Sequence, residues 1–372
     1  MDSLEGRGVT VAERTPPGGT AHSAGGNSAP ERPDNRPGPW PAAERFLGLS
    51  DEELSAIDPV VMNLAVAKGI PALADLDIGR YVGLVDQWAA EIRALLPDAE
   101  IRFARNPAPW NNDPDLSRLG LVAWYLGEVL RVEYREDQRD LERVLYTDPT
   151  DLFLNGVMDT RRGTCGNMVL LFVVLARRLG WPVSLACVGP HFIARFDDGQ
   201  RVLNVEATVS GDGRGLSSPP DRYFVHERSK GRIPQRAVDC GSDLRGLTPR
   251  EMLAVFFGAR ARHLENVHCF GDAERDYLVA RYLFPRNRQL YINQNQVSVQ
   301  NSMDLFDPGE KGHPIELATW LRQVVEVAPW TRRTAAAPPG GQIDAPTTTR
   351  KDECHVNRCT DAALEAIFGG SG

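Results

Sequence analysis

The chain has 372 residues, 42% of them hydrophobic, which is enough for a buried core and more than one typical domain. Its formal net charge of −8 argues against sequence-independent nucleic-acid binding, because such binding needs a basic face to neutralise phosphates. The sequence has neither a stretch of about eighteen apolar residues nor an apolar N-terminal signal, so we expect no membrane partner and a cytoplasmic location.

The N-terminal part of the chain divides by composition. Residues 1–44 are rich in proline, glycine, serine and charge, which predicts a disordered tail, and residues 45–149 read as a helical N-terminal region. Ser50 followed by Glu53 resembles a capping box. Apolar residues then recur at helical spacing, which predicts helices over 51–68, 77–96 and 115–133.

The middle of the chain, residues 150–245, has a different pattern. The segment after Cys165, GNMVLLFVVLARRLG, is apolar almost all round and ends at Gly180, and two β-rich runs follow, VSLACV and HFIARF-DDGQ-RVLNVEA. A helix that is apolar on every side lies at the centre of a domain. The sequence therefore predicts an α+β core with a buried helix.

The C-terminal part is again helical by prediction. Thr248, Pro249 and Glu251 form a strong helix start, and helices are expected from there to about residue 266, over 272–283 and near 314–327. We therefore expect a helical C-terminal region at 246–332. Residues 333–372 return to the composition of the first segment, which predicts a second disordered tail.

Cys165 stands at the start of the buried helix, where unpaired N–H groups and the helix dipole favour a thiolate. An inert core thiol is the competing interpretation. Gly163 and Gly166 on either side favour a nucleophile, because they leave the backbone open to an approaching substrate. Arg161 and Arg162 could add positive potential, but ordinary solvated charges are the favoured interpretation.

His191 begins a predicted strand, and the hairpin after it identifies a partner. If Asp198 and Gly199 form a two-residue turn, Glu206 lies directly opposite His191 and can hold one imidazole nitrogen while the other faces the thiol. Asn204 then lies on the same face, one diagonal away, as the alternative orienting residue or a supporting donor. A slip of two residues would exchange the two roles. This pattern predicts nucleophilic catalysis by cysteine.

The same residues resemble a known family. RRGTCGNMVLLFVVLARRLGWPVSLACVGPHFIARF and LNVEAT are similar to the core of the transglutaminase-like superfamily, within the papain-like cysteine-protease fold. The upstream segments resemble bacterial members that have a helical N-terminal region. The resemblance implies a central helix packed on a small antiparallel sheet, flanked by helices. Glu206 stands where members commonly have aspartate.

The function implied by the resemblance is hydrolysis or transfer of an amide or peptide acyl group through a Cys165 thioester. His191 would protonate the leaving amine, and the Cys165 N–H would stabilise the oxyanion, with Asn167 or Asn155 as candidates for support; for both asparagines, capping or loop bonding is the favoured interpretation. The substrate would be a peptide or protein, with no cofactor. The alternative function is a non-catalytic peptide- or protein-binding module that uses the same cleft and the helical flanks.

The remaining cysteines and histidines predict no metal site and no disulfide framework. Cys187 lies in an apolar run and Cys240 in a polar loop. Two clusters are disfavoured as metal sites. The spacing of His263 and His268, beside Cys269, does not put both histidines on one helix face, and Cys354, His355 and Cys359 leave a tetrahedral zinc site one ligand short. The sequence carries no prediction of oligomeric state.

Overall fold

The computed structural model describes residues 43–135, 146–209, 216–228 and 232–306, all of which belong to one compact unit. The predicted tails, apart from residues 43 and 44, lie outside these ranges. The predicted helix near 314–327 and the cluster of Cys354, His355 and Cys359 lie outside them as well. The division into regions at 149/150 and 245/246 stays a prediction.

Helices make up most of the described chain. They are α1 (Asp51–Ser55), α2 (Pro59–Ala67), α3 (Ile78–Arg105), α4 (Pro114–Trp124), α5 (Leu154–Thr160), α6 (Cys165–Arg178), α7 (Gln235–Asp239), α8 (Pro249–Asn266), α9 (Phe270–Leu283) and α10 (Arg288–Phe306). A π-helical turn, Tyr125–Val129, continues α4. The strands are β1 (Glu133–Tyr134), β2 (Arg162–Gly163), β3 (Val183–Val188), β4 (His191–Asp197) and β5 (Val202–Val205).

The helix starts follow local chemistry. The capping box at Ser50 is present, with the Ser50 N–H donating to Glu53 Oε2 over 2.7 Å and the Glu53 N–H donating to Ser50 Oγ over 3.2 Å. The single helix predicted over 51–68 is wrong, because Asp58 adopts an extended ψ before Pro59 and caps a second helix there. The predicted end of α3 at residue 96 is also wrong, since the helix continues through Pro97.

Helix α6 is the centre of the core. Apart from Gly166, every residue from Cys165 to Ala176 is buried. Helix α6 packs against α3, α4 and α5 and against the strands β3 and β4. Burying one large apolar side chain contributes roughly 1.5–3 kcal/mol, so this helix supplies much of the core's stability. The α+β architecture predicted from the sequence is confirmed.

The sheet has the antiparallel order β3-β4-β5, and β1 pairs in parallel with β2 just before Cys165. One face of the sheet packs on α6. The opposite face covers a smaller apolar cluster that includes Ile193 and Phe224. The edge of β3 is covered by the segment that follows Asp243, since Leu247 donates its N–H to Leu185 O over 2.8 Å.

The C-terminal helices pack on the same core. Thr248 caps α8 with Glu251 as predicted, and α8 contacts both α2 and α9. Helix α9 begins at Phe270, two residues before the predicted start. Inside this layer the guanidinium of Arg260 meets the fully buried carboxylate of Asp276, with Nε 2.6 Å from Oδ2.

Candidate active site around Cys165

Cys165 is the first residue of α6 and is 5% exposed. Thr164 caps the helix, and its own N–H donates to Asn167 Oδ1 over 2.8 Å, which completes a capping box. The Cys165 N–H therefore lies in the first helical turn, where backbone amides have no intrahelical acceptor. This position places a positive helix end at the sulfur.

Asn167 ties the helix start to the segment before it. Its Nδ2 donates to the carbonyls of Thr150 and Phe153, over 3.1 and 3.2 Å. Thr164 Oγ1 adds a third bond, 2.8 Å long, to the carbonyl of Asp151. Both Nδ2 hydrogens and the Oδ1 of Asn167 are thus used inside the protein, and we leave Asn167 out of the proposed chemistry.

Gly163 is required by packing and not by substrate approach. A Cβ at this position would lie 2.5 Å from Met168 Cγ and 2.7 Å from Asn167 Oδ1. At Gly166 a Cβ would come no closer than 3.8 Å to a neighbour, the Thr164 Oγ1. The sequence argument that both glycines keep the backbone open is therefore wrong for Gly163.

The hairpin that carries His191 has a different register from the predicted one. Asp197 pairs with Val202, so the turn has four residues, and Asp198 Oδ1 accepts from the N–H groups of Gln200 and Arg201. Ala194 pairs with Val205 at the other end. Continuing this register puts Glu206 opposite Ile193, and the predicted direct pairing with His191 is wrong.

Glu206 nevertheless contacts His191 from the diagonal position. His191 Nε2 lies 2.7 Å from Glu206 Oε1 and 3.1 Å from Oε2. Both side chains lie mostly inside the protein, with His191 8% exposed. Diagonal neighbours on adjacent strands are about 7–8 Å apart, a distance that two long side chains can bridge.

Hydrogen bonds set the protonation of His191. Burial alone lowers its pKa, but hydrogen bonds and charge interactions with Cys165 and Glu206 outweigh burial and raise the pKa to about 9. Since Glu206 occupies Nε2, the ring nitrogen left for the thiol is Nδ1. A histidine with this pKa carries a proton at neutral pH, as a proton donor to a leaving group must.

Asn204 does not contact His191. It pairs across the strands with Arg195, whose Nη1 donates to Asn204 Oδ1 over 2.7 Å. Asn155, the other supporting candidate, is buried in α5, and within the described ranges its Oδ1 has no hydrogen-bond partner. No hydrogen bond among the described residues joins Asn155 to Cys165.

Two residues near Cys165 were missed by the sequence argument. Burial and the nearby Cys165 raise the pKa of the Tyr146 phenol, and the Tyr146 carbonyl lies 3.1 Å from His263 Nδ1. Asp151 is buried and paired with Arg135 over 2.6 Å. No motif marks either residue, because both reach the site from a segment with no regular periodicity.

The two arginines before Cys165 have other partners. Arg161 lies over the Trp88 ring, 4.7 Å from its centroid, and Arg162 pairs with Glu133 over 3.0 Å.

The other described cysteines differ in burial. Cys187 is buried and its pKa is raised, chiefly by that burial, whereas Cys240 and Cys269 are exposed.

A cleft of about 730 Å³ opens between α3 and α4, and its lining does not include Cys165, His191 or Glu206. Trp110 and Trp124 line it, together with Leu216.

Among the described residues, no group of three or more His, Cys, Asp or Glu side chains could hold a metal ion. None of the described helices has the length and apolarity to cross a membrane.

A family model matches part of the chain. The model of the transglutaminase-like superfamily matches residues 80–231, a range that contains Cys165, His191 and Glu206 and begins within α3. Neither the curated proteins nor the solved structures gave a significant match. This part of the chain is thus similar to the transglutaminase-like superfamily.

Proposed function

We propose that the chain is a cysteine-dependent enzyme that hydrolyses or transfers the acyl group of an amide or peptide. The observation that carries this proposal is the contact of His191 Nε2 with Glu206 Oε1 over 2.7 Å. The raised pKa of His191, to which Cys165 at the start of α6 contributes, supports it. When an imidazole lies between a thiol and a carboxylate, the thiol can act as nucleophile, the imidazole as its acid–base partner and the carboxylate as the group that orients the imidazole.

The chemistry begins with an imidazolium at His191, in keeping with its raised pKa. The Cys165 thiolate attacks the amide carbonyl and forms a C–S bond. The Cys165 N–H stabilises the oxyanion at the positive end of α6. As the C–N bond breaks, His191 gives its proton to the leaving amine, and a thioester remains on Cys165.

The thioester is resolved by water or by a second amine. His191, now neutral, takes a proton from that nucleophile while the new C–O or C–N bond forms. The C–S bond then breaks and returns the thiolate. Glu206 keeps the ring oriented in both halves and balances the charge on the imidazolium.

Cys165 reactivity tests the proposal directly. The wild-type protein is incubated with iodoacetamide near neutral pH and the labelled cysteine is identified by mass spectrometry. We expect fast labelling of Cys165 that His191→Ala abolishes, with buried Cys187 as the internal control for an inert thiol. A Cys165 as inert as Cys187 would instead indicate a non-catalytic binding module.

A second experiment identifies the reaction. The protein is incubated with a peptide library, with and without an amine donor, and products are compared with those of Cys165→Ala. Cleaved peptides indicate hydrolysis, and amine-modified peptides indicate transfer. A variant that gives the same products as the wild type would refute the cysteine mechanism.

A further inference from the structure

The edge of the sheet next to Glu206 is covered by residues 216–221, called here the edge segment. Strand β5 ends at Val205, so the β4–β5 ladder does not reach Glu206. The Glu206 N–H instead donates to Ser217 O over 3.0 Å. Two residues earlier in β5, Asn204 Nδ2 donates to Pro219 O, also over 3.0 Å. The edge segment therefore runs antiparallel along β5 and supplies a backbone anchor for Glu206.

Three hydrogen-bonded side chains, two of them charged, hold the edge segment in place. Arg195, which is 8% exposed, donates through Nη1 and Nη2 to the two carboxylate oxygens of Asp221, over 2.7 and 3.1 Å. Asn204 Nδ2 also donates to Asp221 Oδ1, over 2.7 Å. We call Arg195, Asn204 and Asp221 the clamp.

The clamp is charged and strongly bonded. Burial raises the pKa of Asp221, but the hydrogen bonds from Arg195 and Asn204 lower it by more. The pKa of Asp221 is therefore below its usual value. A mostly buried guanidinium needs a partner, and a two-pronged bond to a carboxylate is the strongest that a side chain offers. Arg195 therefore fixes Asp221, and with it the end of the edge segment.

We propose that Arg195, Asn204 and Asp221 are positioning residues that hold the Glu206 carboxylate on His191 Nε2 by fixing the edge segment along β5. This inference rests on the proposed function. Its physical basis is that Glu206 is anchored on its outer side by Ser217, and that Ser217 is fixed by contacts at positions 219 and 221. None of the three residues touches the reacting atoms.

The consequence of a loosened clamp follows from the contacts of His191. Without the clamp, the edge segment leaves β5 and the Glu206 backbone loses its acceptor at Ser217. The carboxylate then spends less time on Nε2. The imidazolium loses part of its stabilisation, so His191 gives up its proton at a lower pH, in the same direction as when Glu206 itself is removed.

The test compares Asp221→Ala with Glu206→Gln and a matched control. Glu227→Ala removes another carboxylate from the same part of the chain, one paired with Arg222 on the exposed surface. The readouts are the midpoint of the His191 ring titration by NMR and the pH profile of Cys165 alkylation. Circular dichroism checks that each variant is folded, and Asp221→Asn, which keeps the side-chain shape, serves if Asp221→Ala does not fold.

We expect Glu206→Gln to lower the His191 midpoint by about one pH unit or more, and Asp221→Ala to lower it by a smaller amount in the same direction. Glu227→Ala should match the wild type. If Glu206→Gln shifts the midpoint while both Asp221 variants leave it unchanged, the clamp has no positioning role. If Glu206→Gln has no effect and wild-type Cys165 is inert, the proposed function itself fails, together with this inference.

Discussion

Glu206 reaches His191 diagonally across the β4–β5 hairpin, with Oε1 2.7 Å from Nε2, although the ladder register puts Ile193 and not His191 opposite it. The extra methylene of glutamate over aspartate suits this longer reach. The longer acid thus matches the register of the four-residue turn. With a two-residue turn Glu206 would lie directly opposite His191, where the shorter aspartate side chain would be sufficient.

The first prediction concerns the protonation of His191. The pKa of about 9 is maintained against burial by Cys165 and Glu206, so Glu206→Gln should lower it. The measurement is a ¹³C or ¹⁵N NMR titration of the His191 ring, assigned with His191→Asn. Glu133→Gln removes an exposed carboxylate paired with Arg162 and is the control. An unchanged midpoint in Glu206→Gln would contradict the geometry.

The second prediction concerns stability and pH. A histidine whose pKa rises on folding, here from its ordinary value of 6.5 to about 9, stabilises the fold fully below pH 6.5 and loses that contribution as the pH rises through 9. The contribution is on the order of 3 kcal/mol. Urea unfolding between pH 6 and 10 should show the stability difference between wild type and His191→Gln shrinking across this window. A difference that grows with pH would refute it.

The third prediction separates the two glycines beside Cys165. Gly163→Ala puts a Cβ 2.5 Å from Met168 Cγ and should destabilise by about 1–3 kcal/mol, because the start of α6 must shift. Gly166→Ala meets no close neighbour and lies inside a helix, so it should be neutral or stabilising by up to about 1 kcal/mol. Thermal and urea unfolding measure both. Equal losses at the two positions would show that Gly163 has no special packing role.

The fourth prediction concerns the buried ion pair between α8 and α9. Arg260→Met or Asp276→Leu alone leaves a buried charge without its main partner and should cost about 3–5 kcal/mol. The double variant removes both charges and should cost clearly less than the sum of the two. A double-mutant cycle of urea unfolding gives the coupling energy. Additive losses would mean that the two side chains act independently.

Several parts of the fold follow from local sequence patterns. The capping boxes at Ser50 and Thr248, the buried helix after Cys165 and the strand bounds of β3 are determined by neighbouring residues, so a single sequence is enough to find them. The break before Pro59 is also local, but the periodicity of the flanking residues hides it.

Two further differences concern the hairpin, one at its turn and one in a contact between residues far apart in the chain. The Asp-Gly pair at 198–199 favours a two-residue turn, whereas the observed turn uses the Asp198 carboxylate to bind the N–H groups of Gln200 and Arg201. Likewise, the clamp on Asn204 depends on Asp221, seventeen positions away. Spacing within one hairpin carries no information about such a partner.

The covered edges of the sheet have a consequence for solubility. A three-stranded sheet presents two outer strands, and an uncovered strand is a template for pairing with another copy of the chain. Here Leu244 and Leu247 donate their N–H groups to the edge of β3. Alongside β5, Ser217 O accepts from the N–H of Glu206 just past the strand, and Pro219 O accepts from the Asn204 side chain. We therefore expect release of the edge segment to do more than free Glu206: it would expose β5 to pairing with another copy of the chain, so loosening the clamp should also favour self-association.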